Sequence, residues 1–187
     1  HYAGLGEIVA GADVPIYAPQ GVIDTITADD ALKDQIIGPM FGEDWPANRV
    51  FPNTPIRGGE SVTFDGVQFT VVDLGPSESP HDSPWILGTD ERIVFLGDQI
   101  YDHRHCFLGD GVYEPWLENI EKLRARFPSD AVFHIGHGGP VGGEMWDWQR
   151  GYLETFAAAV GEAEWAEPEQ AKAAVVARMK EYEPTDE

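Results

Sequence analysis

The chain has 187 residues, 33 of them acidic and 12 basic, for a net charge of −21. That charge repels phosphate, so neither nucleic acid nor an anionic membrane surface is an expected partner. No run of 18 apolar residues occurs, so no membrane span is expected. The length suits one domain spanning residues 1–187, and six Trp and nine Phe can fill its core. Cys106 is the only cysteine, which excludes an intrachain disulfide and suits a reducing, cytoplasmic setting. The chain opens on His1 rather than Met, so targeting cannot be judged from it.

Residues 1–11 place Tyr2, Leu5, Ile8 and Val9 at helical spacing, with Gly11 as a stop. Val14 to Ala18 follows as a short strand. Thr27 or Asp29 can cap a helix over Asp30 to Ile37. Gly38 to Glu60 has no period and is rich in Gly, Pro and Asn, so it reads as a long loop or site wall. Ser61 to Phe64 and Val67 to Leu74 flank Asp65-Gly66, a strong two-residue hairpin signal. Gly75 to Pro84 is loop, and Trp85 to Leu87 and Ile93 to Leu96 are strands of the same antiparallel meander. Glu114 to Phe127 is an amphipathic helix with Trp116, Ile120, Leu123 and Phe127 on one face. Ala131 to Ile135 is a strand, Glu144 to Ala163 a helix, and Pro168 starts a last helix reaching about Tyr182.

The chemistry concentrates at strand ends. The strand Ile93 to Leu96 is expected to stop at Gly97-Asp98, where Gly permits close approach and Asp98 supplies a carboxylate. The same grammar recurs at His134-Ile135-Gly136-His137. His81 lies in the loop before the third strand of the meander. Three such loops present His81, Asp98 and His137, the donor types that suit Zn, Fe or Mn better than Ca or Mg. Beyond Asp98, Tyr101 and Asp102 are candidates for substrate contact. His103 and His105 either line a pocket, support ligands by hydrogen bonds, or belong to a loop whose polar groups are merely satisfied. Cys106 carries a weaker version of the same signal. By alternation, His134 points to the opposite face from His137.

In this order, the elements resemble the metallo-β-lactamase-fold hydrolases. The carriers are Phe95-Leu96-Gly97-Asp98, the amphipathic helix, Gly136-His137-Gly138-Gly139-Pro140, and the opening His1-Tyr2-Ala3-Gly4-Leu5. The opening is similar to the end of the family's His-x-His-x-Asp-His motif. The resemblance implies an α/β fold, an αββα sandwich of mixed sheets with outer helices. The chain would be N-terminally incomplete, lacking the motif's first part. It implies that His81 belongs to a first metal site, that Asp98 bridges two metals as the catalytic carboxylate, and that His1 and His137 hold the second metal. Two Zn ions are expected in the complete protein, with Fe or Mn as alternatives. Here the stretch around His81 reads Pro80-His81-Asp82-Ser83, where the family carries Gly-His-Thr.

The implied function is hydrolysis of an ester, lactone, thioester or similar bond in a small-molecule substrate by a metal-bound hydroxide. Two alternatives stay open. One is a non-catalytic remnant or binding protein with an incomplete metal site. The other is an iron-dependent redox relative. A homo-oligomer or a separate N-terminal fragment are the protein partners consistent with this reading, because a half-domain would leave one face of its sheet uncovered.

Overall fold

The computed structural model describes residues 2–110 and 112–182. His1 lies outside them. Helix α1, Leu5–Val9, leads to strand β1, Tyr17–Ala18, and helix α2, Gln20–Phe41. A 3₁₀ turn over Gly42–Asp44 precedes β2, Thr54–Pro55, which pairs in parallel with β1. Next come β3, Ser61–Phe64, β4, Val67–Val71, β5, Trp85–Leu87, and β6, Ile93–Tyr101. Helix α3, Tyr113–Arg126, precedes β7, Val132–His137, and helices α4, Met145–Glu162, and α5, Pro168–Met179, lead to a 3₁₀ turn over Lys180–Tyr182.

The main sheet has the order β3-β4-β5-β6-β7. Its first four strands form the expected antiparallel meander, and β7 joins β6 in parallel after the α3 crossover. The β3–β4 turn is at Asp65-Gly66, both at positive φ, as a two-residue hairpin with matched twist requires. The result is the expected mixed α/β class with outer helices.

Helices α3 and α4 cover one face of the sheet, and α5 packs on α4. Trp116, Ile120 and Leu123 of α3 and Met145, Trp146, Tyr152 and Leu153 of α4 are all buried. They pack with Ile86, Val94, Leu96, Ile100 and Phe133 of the strands. The i, i+3, i+4, i+7 spacing of the apolar residues makes this possible, because it puts them on one helical stripe. The other sheet face is different. Alternation along β6 buries Val94 and Leu96 and leaves Ile93 and Phe95 exposed. On that outward side the Phe95 ring stacks on His134, with centroids 5.1 Å apart. Thus His134 and His137 do not share a setting.

Three elements differ from the sequence reading. Helix α2 runs from Gln20 to Phe41, well beyond Asp30 to Ile37, and takes the start of the expected long loop into the helix. Pro19 supplies its N-cap instead of Thr27 or Asp29. None of its residues is fully buried, and Leu32, Ile36 and Met40 lie exposed. A helix without an inward stripe gives periodicity little to report. The first strand shrinks to Tyr17–Ala18, since only those residues find a partner in β2. Strand β6 does not stop at Gly97-Asp98 but continues to Tyr101. Gly97 sits at φ 61°, and the register with β7 shifts on both sides of it. Glycine here forms a bulge rather than a stop, and pairing resumes at Tyr101↔His137.

The core predicts its own test. Leu153 is completely buried beneath the sheet, so Leu153→Ala should lose about 2–5 kcal/mol of unfolding free energy in a urea titration. Glu118→Ala, which removes an exposed partner 3.6 Å from Lys122, should change it by less than about 1 kcal/mol.

Candidate functional site

The bulge in β6 creates the site. From Gly97 to Tyr101, β6 advances four residues while β7 advances two, from Ile135 to His137. The surplus includes Asp98. A bulge of this kind re-aims side chains at the end of a pairing. Asp98 and His137 meet there, with Oδ2 and Nε2 3.6 Å apart. Asp98 is largely buried, at 16% side-chain exposure, whereas His137 is about half exposed, at 46%. The pair therefore has a protected carboxylate and an imidazole that reaches solvent.

Tyr101 holds the imidazole in place. Its ring stacks on His137 with centroids 4.9 Å apart and planes only 10° from parallel. The Asp102 backbone N–H donates to the His137 carbonyl at 3.2 Å. Tyr101 is itself buried, and its hydroxyl donates to Glu78 Oε1 at 3.2 Å. Burial, then the nearby Asp98 and Glu78 carboxylates, push the Tyr101 phenol well above its ordinary range. It stays a neutral donor.

Glu78 is the residue that sequence reasoning passed over. It lies in the Gly75 to Pro84 loop, three residues before His81, and is buried. The loop turns it inward because its neck and walls are pinned. Gly75 and Asp82 pair as an isolated bridge. Ser77 donates its hydroxyl to Gln99 Oε1, and the Asn119 amide donates to the Pro76 carbonyl at 2.9 Å. Asp82 accepts the Ser79 backbone N–H at 2.8 Å. Burial raises the Glu78 pKa to about 7, helped by the Asp98 and Asp82 charges. Asp82 is also raised, chiefly by burial, with Asp98 contributing. In the sequence the loop reads as Pro76-Ser77-Glu78-Ser79-Pro80, which has the composition of a solvated turn. Nothing local marks Glu78 as an inward carboxyl.

His81 goes elsewhere. Its Nε2 lies 2.7 Å from Asp73 Oδ1, at the edge of β4. Its ring occupies the space where a side chain on residue 21 would stand, so α2 can pass this close only with Gly21. A neighbouring polar cavity of about 510 Å³ is lined by Gly21, Arg57, Glu60 and Asp73. Asp98 and His137 thus come together, while His81 pairs with Asp73. Among the described residues, no three His, Cys, Asp or Glu side chains converge as a metal-binding group.

The loop after β6 is a set of satisfied hydrogen bonds. His103 Nδ1 lies 2.8 Å from Asp102 Oδ1, and His105 Nδ1 lies 3.2 Å from the Tyr152 hydroxyl. The Cys106 N–H donates to the same hydroxyl. Gln149 crosses beneath this loop, accepting from the Tyr101 N–H at 2.9 Å and donating to Cys106 Sγ at 3.2 Å. Burial pushes the Cys106 thiol up to about 12, so it carries no thiolate near neutral pH. Tyr101 and Asp102 thus brace the His137 strand end, and His105 and Cys106 fasten the loop to α4.

No protein-family model matches this sequence. Over 137 residues it is 26% identical to a hydroxyacylglutathione hydrolase of Bdellovibrio bacteriovorus, covering 73% of this chain and 44% of that protein. The chain therefore spans less than half the length of this curated relative. Among solved structures, a metallo-β-lactamase from Pontibacter korlensis superposes with a TM-score of 0.63 at 16% identity, covering 81% of this chain and 63% of that one. A protein solved in a di-iron-bound form gives a TM-score of 0.58 at 20% identity, covering 78% and 68% of the two chains.

The buried Glu78 carboxyl predicts a signed pH effect. Between its ordinary value of 4.5 and about 7, the folded state holds a proton that the unfolded state has lost. Stability from this group is therefore full below about pH 4.5 and declines as pH rises toward 7. In chelator-treated protein, Glu78→Gln should melt a few degrees above the parent at about pH 8 and level with it below about pH 4.5, measured by calorimetry.

Proposed function

We propose that this chain, which has the metallo-β-lactamase fold, acts as a metal-dependent hydrolase on an ester, lactone or thioester of a small molecule. The observation that carries this reading is the pair formed by Asp98, in the bulge of β6, and His137, at the end of β7, 3.6 Å apart. A carboxylate oxygen and an imidazole nitrogen held together by rigid strands match the donor chemistry of Zn or Fe. The curated relative is a hydrolase by its name, and one structural neighbour binds two irons. Both support the reading without identifying the metal or the bond cleaved here.

The donors present fit a metal in kind but not in number. A catalytic zinc takes three protein ligands, and the described residues bring two into contact. Glu78 is a further candidate, because Tyr101 ties its carboxyl to the His137 ring and Asp98 acts on it electrostatically. His1 lies outside the described residues, and His81 is engaged with Asp73. A bound metal would supply an acidified water and polarise the carbonyl under attack.

The chain's own residues do the positioning. Tyr101 fixes the His137 ring plane by stacking. The Asp102 N–H holds the His137 backbone. Asp98, largely buried, presents its carboxyl group beside the His137 ring. In hydrolysis the oxygen of water forms the new bond to the acyl carbon. The bond to the leaving oxygen or sulfur breaks, and the leaving group departs with a proton.

Metal analysis of the purified full-length protein tests this. Wild type should carry Zn, Fe or Mn and hydrolyse model thioesters or lactones, whereas Asp98→Ala should lose the bound metal and at least about 100-fold of the activity. Metal-free wild type without hydrolysis would point instead to the non-catalytic binding protein. Iron content with electron transfer and no hydrolysis would point to the redox relative.

A further inference from the structure

Beyond Phe95, strand β6 loses one neighbour. Strand β5 pairs with it only from Ile93 to Phe95, while β7 stays alongside as far as Tyr101. Buried backbone groups of β6 past that point still need partners. Helix side chains meet two of them in place of a strand. The Trp116 indole of α3 donates to the Gln99 carbonyl at 3.1 Å, and the Gln149 amide of α4 accepts the Tyr101 N–H at 2.9 Å. Gln149 is completely buried and uses both ends of its amide, since its Nε2 donates to Cys106 Sγ at 3.2 Å. A flipped amide would set Nε2 against the Tyr101 N–H, donor against donor. The amide therefore has one orientation.

We propose that Gln149 is a positioning residue of the candidate site: acting through Tyr101, it holds the His137 imidazole at ligating distance from Asp98. Its bearing on a metal rests on the hydrolase reading above. The contacts run in sequence. Gln149 fixes the backbone of Tyr101, and the Tyr101 ring stacks on His137 at 4.9 Å and 10° from parallel. One residue on, the Asp102 N–H donates to the His137 carbonyl. Successive N–H groups of a strand point to opposite sides. So α4 grips one side of this stretch, and the His137 backbone is held by the other.

Distance makes that grip matter. Two donors bound to one zinc at the tetrahedral angle stand about 3.3 Å apart. Asp98 Oδ2 and His137 Nε2 are 3.6 Å apart, so the pair is already spaced for one ion. Ligand distances tolerate only about 0.2 Å of error. A half-exposed imidazole keeps such a position only if something stiff lies against it, and here that is the buried Tyr101 ring. Tyr152, three residues along α4 from Gln149, fastens the rest of the loop by accepting the Cys106 N–H at 3.2 Å. Helix α4 thus seats the residues from Tyr101 to Cys106.

The test compares Gln149→Met, which keeps the length of the side chain and removes both hydrogen bonds, with Leu153→Ala, which loosens the same helix one turn along and removes no bond to β6. Both are made in the full-length protein. The first readout is the NMR signal of the His137 Cε1–H, identified by its absence in His137→Ala. It is taken in chelator-treated protein at about pH 8.5, where imidazole is neutral. In the parent it should stand upfield of free histidine because the ring lies against Tyr101, and Gln149→Met should lose most of that displacement. The second readout is the zinc dissociation constant, from competition with a chelating dye. Gln149→Met should raise it about tenfold or more. Leu153→Ala should leave both readouts within about twofold of the parent. If Gln149→Met does not fold, Gln149→Asn, which draws the amide back by one methylene, should reproduce both changes in part. The proposal is overturned if the Gln149 variants keep the displacement, if Leu153→Ala loses it equally, or if it is lost with zinc affinity unchanged. If Gln149→Met alone loses the displacement while the parent binds no metal and cleaves no ester, Gln149 stands as the residue that seats His137 and the hydrolase reading fails.

Discussion

Two buried amide side chains, Gln99 and Asn119, hold the Gly75 to Pro84 loop against the body of the protein. Gln99 accepts from Ser77 through its side chain, and its backbone carbonyl accepts from the Trp116 indole at 3.1 Å. Asn119 donates to Pro76 from α3. Gln99, Ser77, Trp116 and Asn119 are almost completely buried. Leaving such a group without its partner costs about 1–3 kcal/mol, so the loop has one favourable seat. That seat decides which side chains of the loop face inward. Ser77 and Glu78 do, and His81 swings out to Asp73.

The bulge in β6 is the second constraint. Without it, alternation would run undisturbed from Val94 to Tyr101. With it, the strand gains surplus residues at Asp98 and still recovers its pairing at Tyr101. The same strand then serves three roles. Its first half is core and its middle presents Asp98. Its last residue, Tyr101, joins Glu78 to His137. Gln149 completes the arrangement by receiving the Tyr101 N–H, the kind of backbone donor that needs a partner when buried.

Charge shapes the protonation of the loop's acids. Asp98 acts electrostatically on both Glu78 and Asp82, in a protein already at −21. That repulsion, added to burial, favours the protonated forms of Glu78 and Asp82.

By itself the sequence determined the regular parts of this protein. Helices α3 and α4 were legible to within a residue or so, because Trp116, Ile120, Leu123, Trp146 and Tyr152 fall on buried stripes. The Asp65-Gly66 turn and the meander were legible for the same reason, since turn chemistry and alternation are local properties. Asp98 and His137 were legible as ligand-type residues following glycine, but the expected strand end at Asp98 is a bulge inside β6. Only the tertiary structure decided the rest. Glycine 97 reads equally as a stop or a bulge until a neighbouring strand is there to resume pairing. Helix α2 buries too little to leave a periodic trace. In the Pro76 to Asp82 loop, an imidazole and a carboxyl compete for one inward seat. Residue type favours His81, but the direction of the loop favours Glu78. That direction comes from Gln99 and Asn119, which lie far along the chain and meet the loop only when the fold is complete.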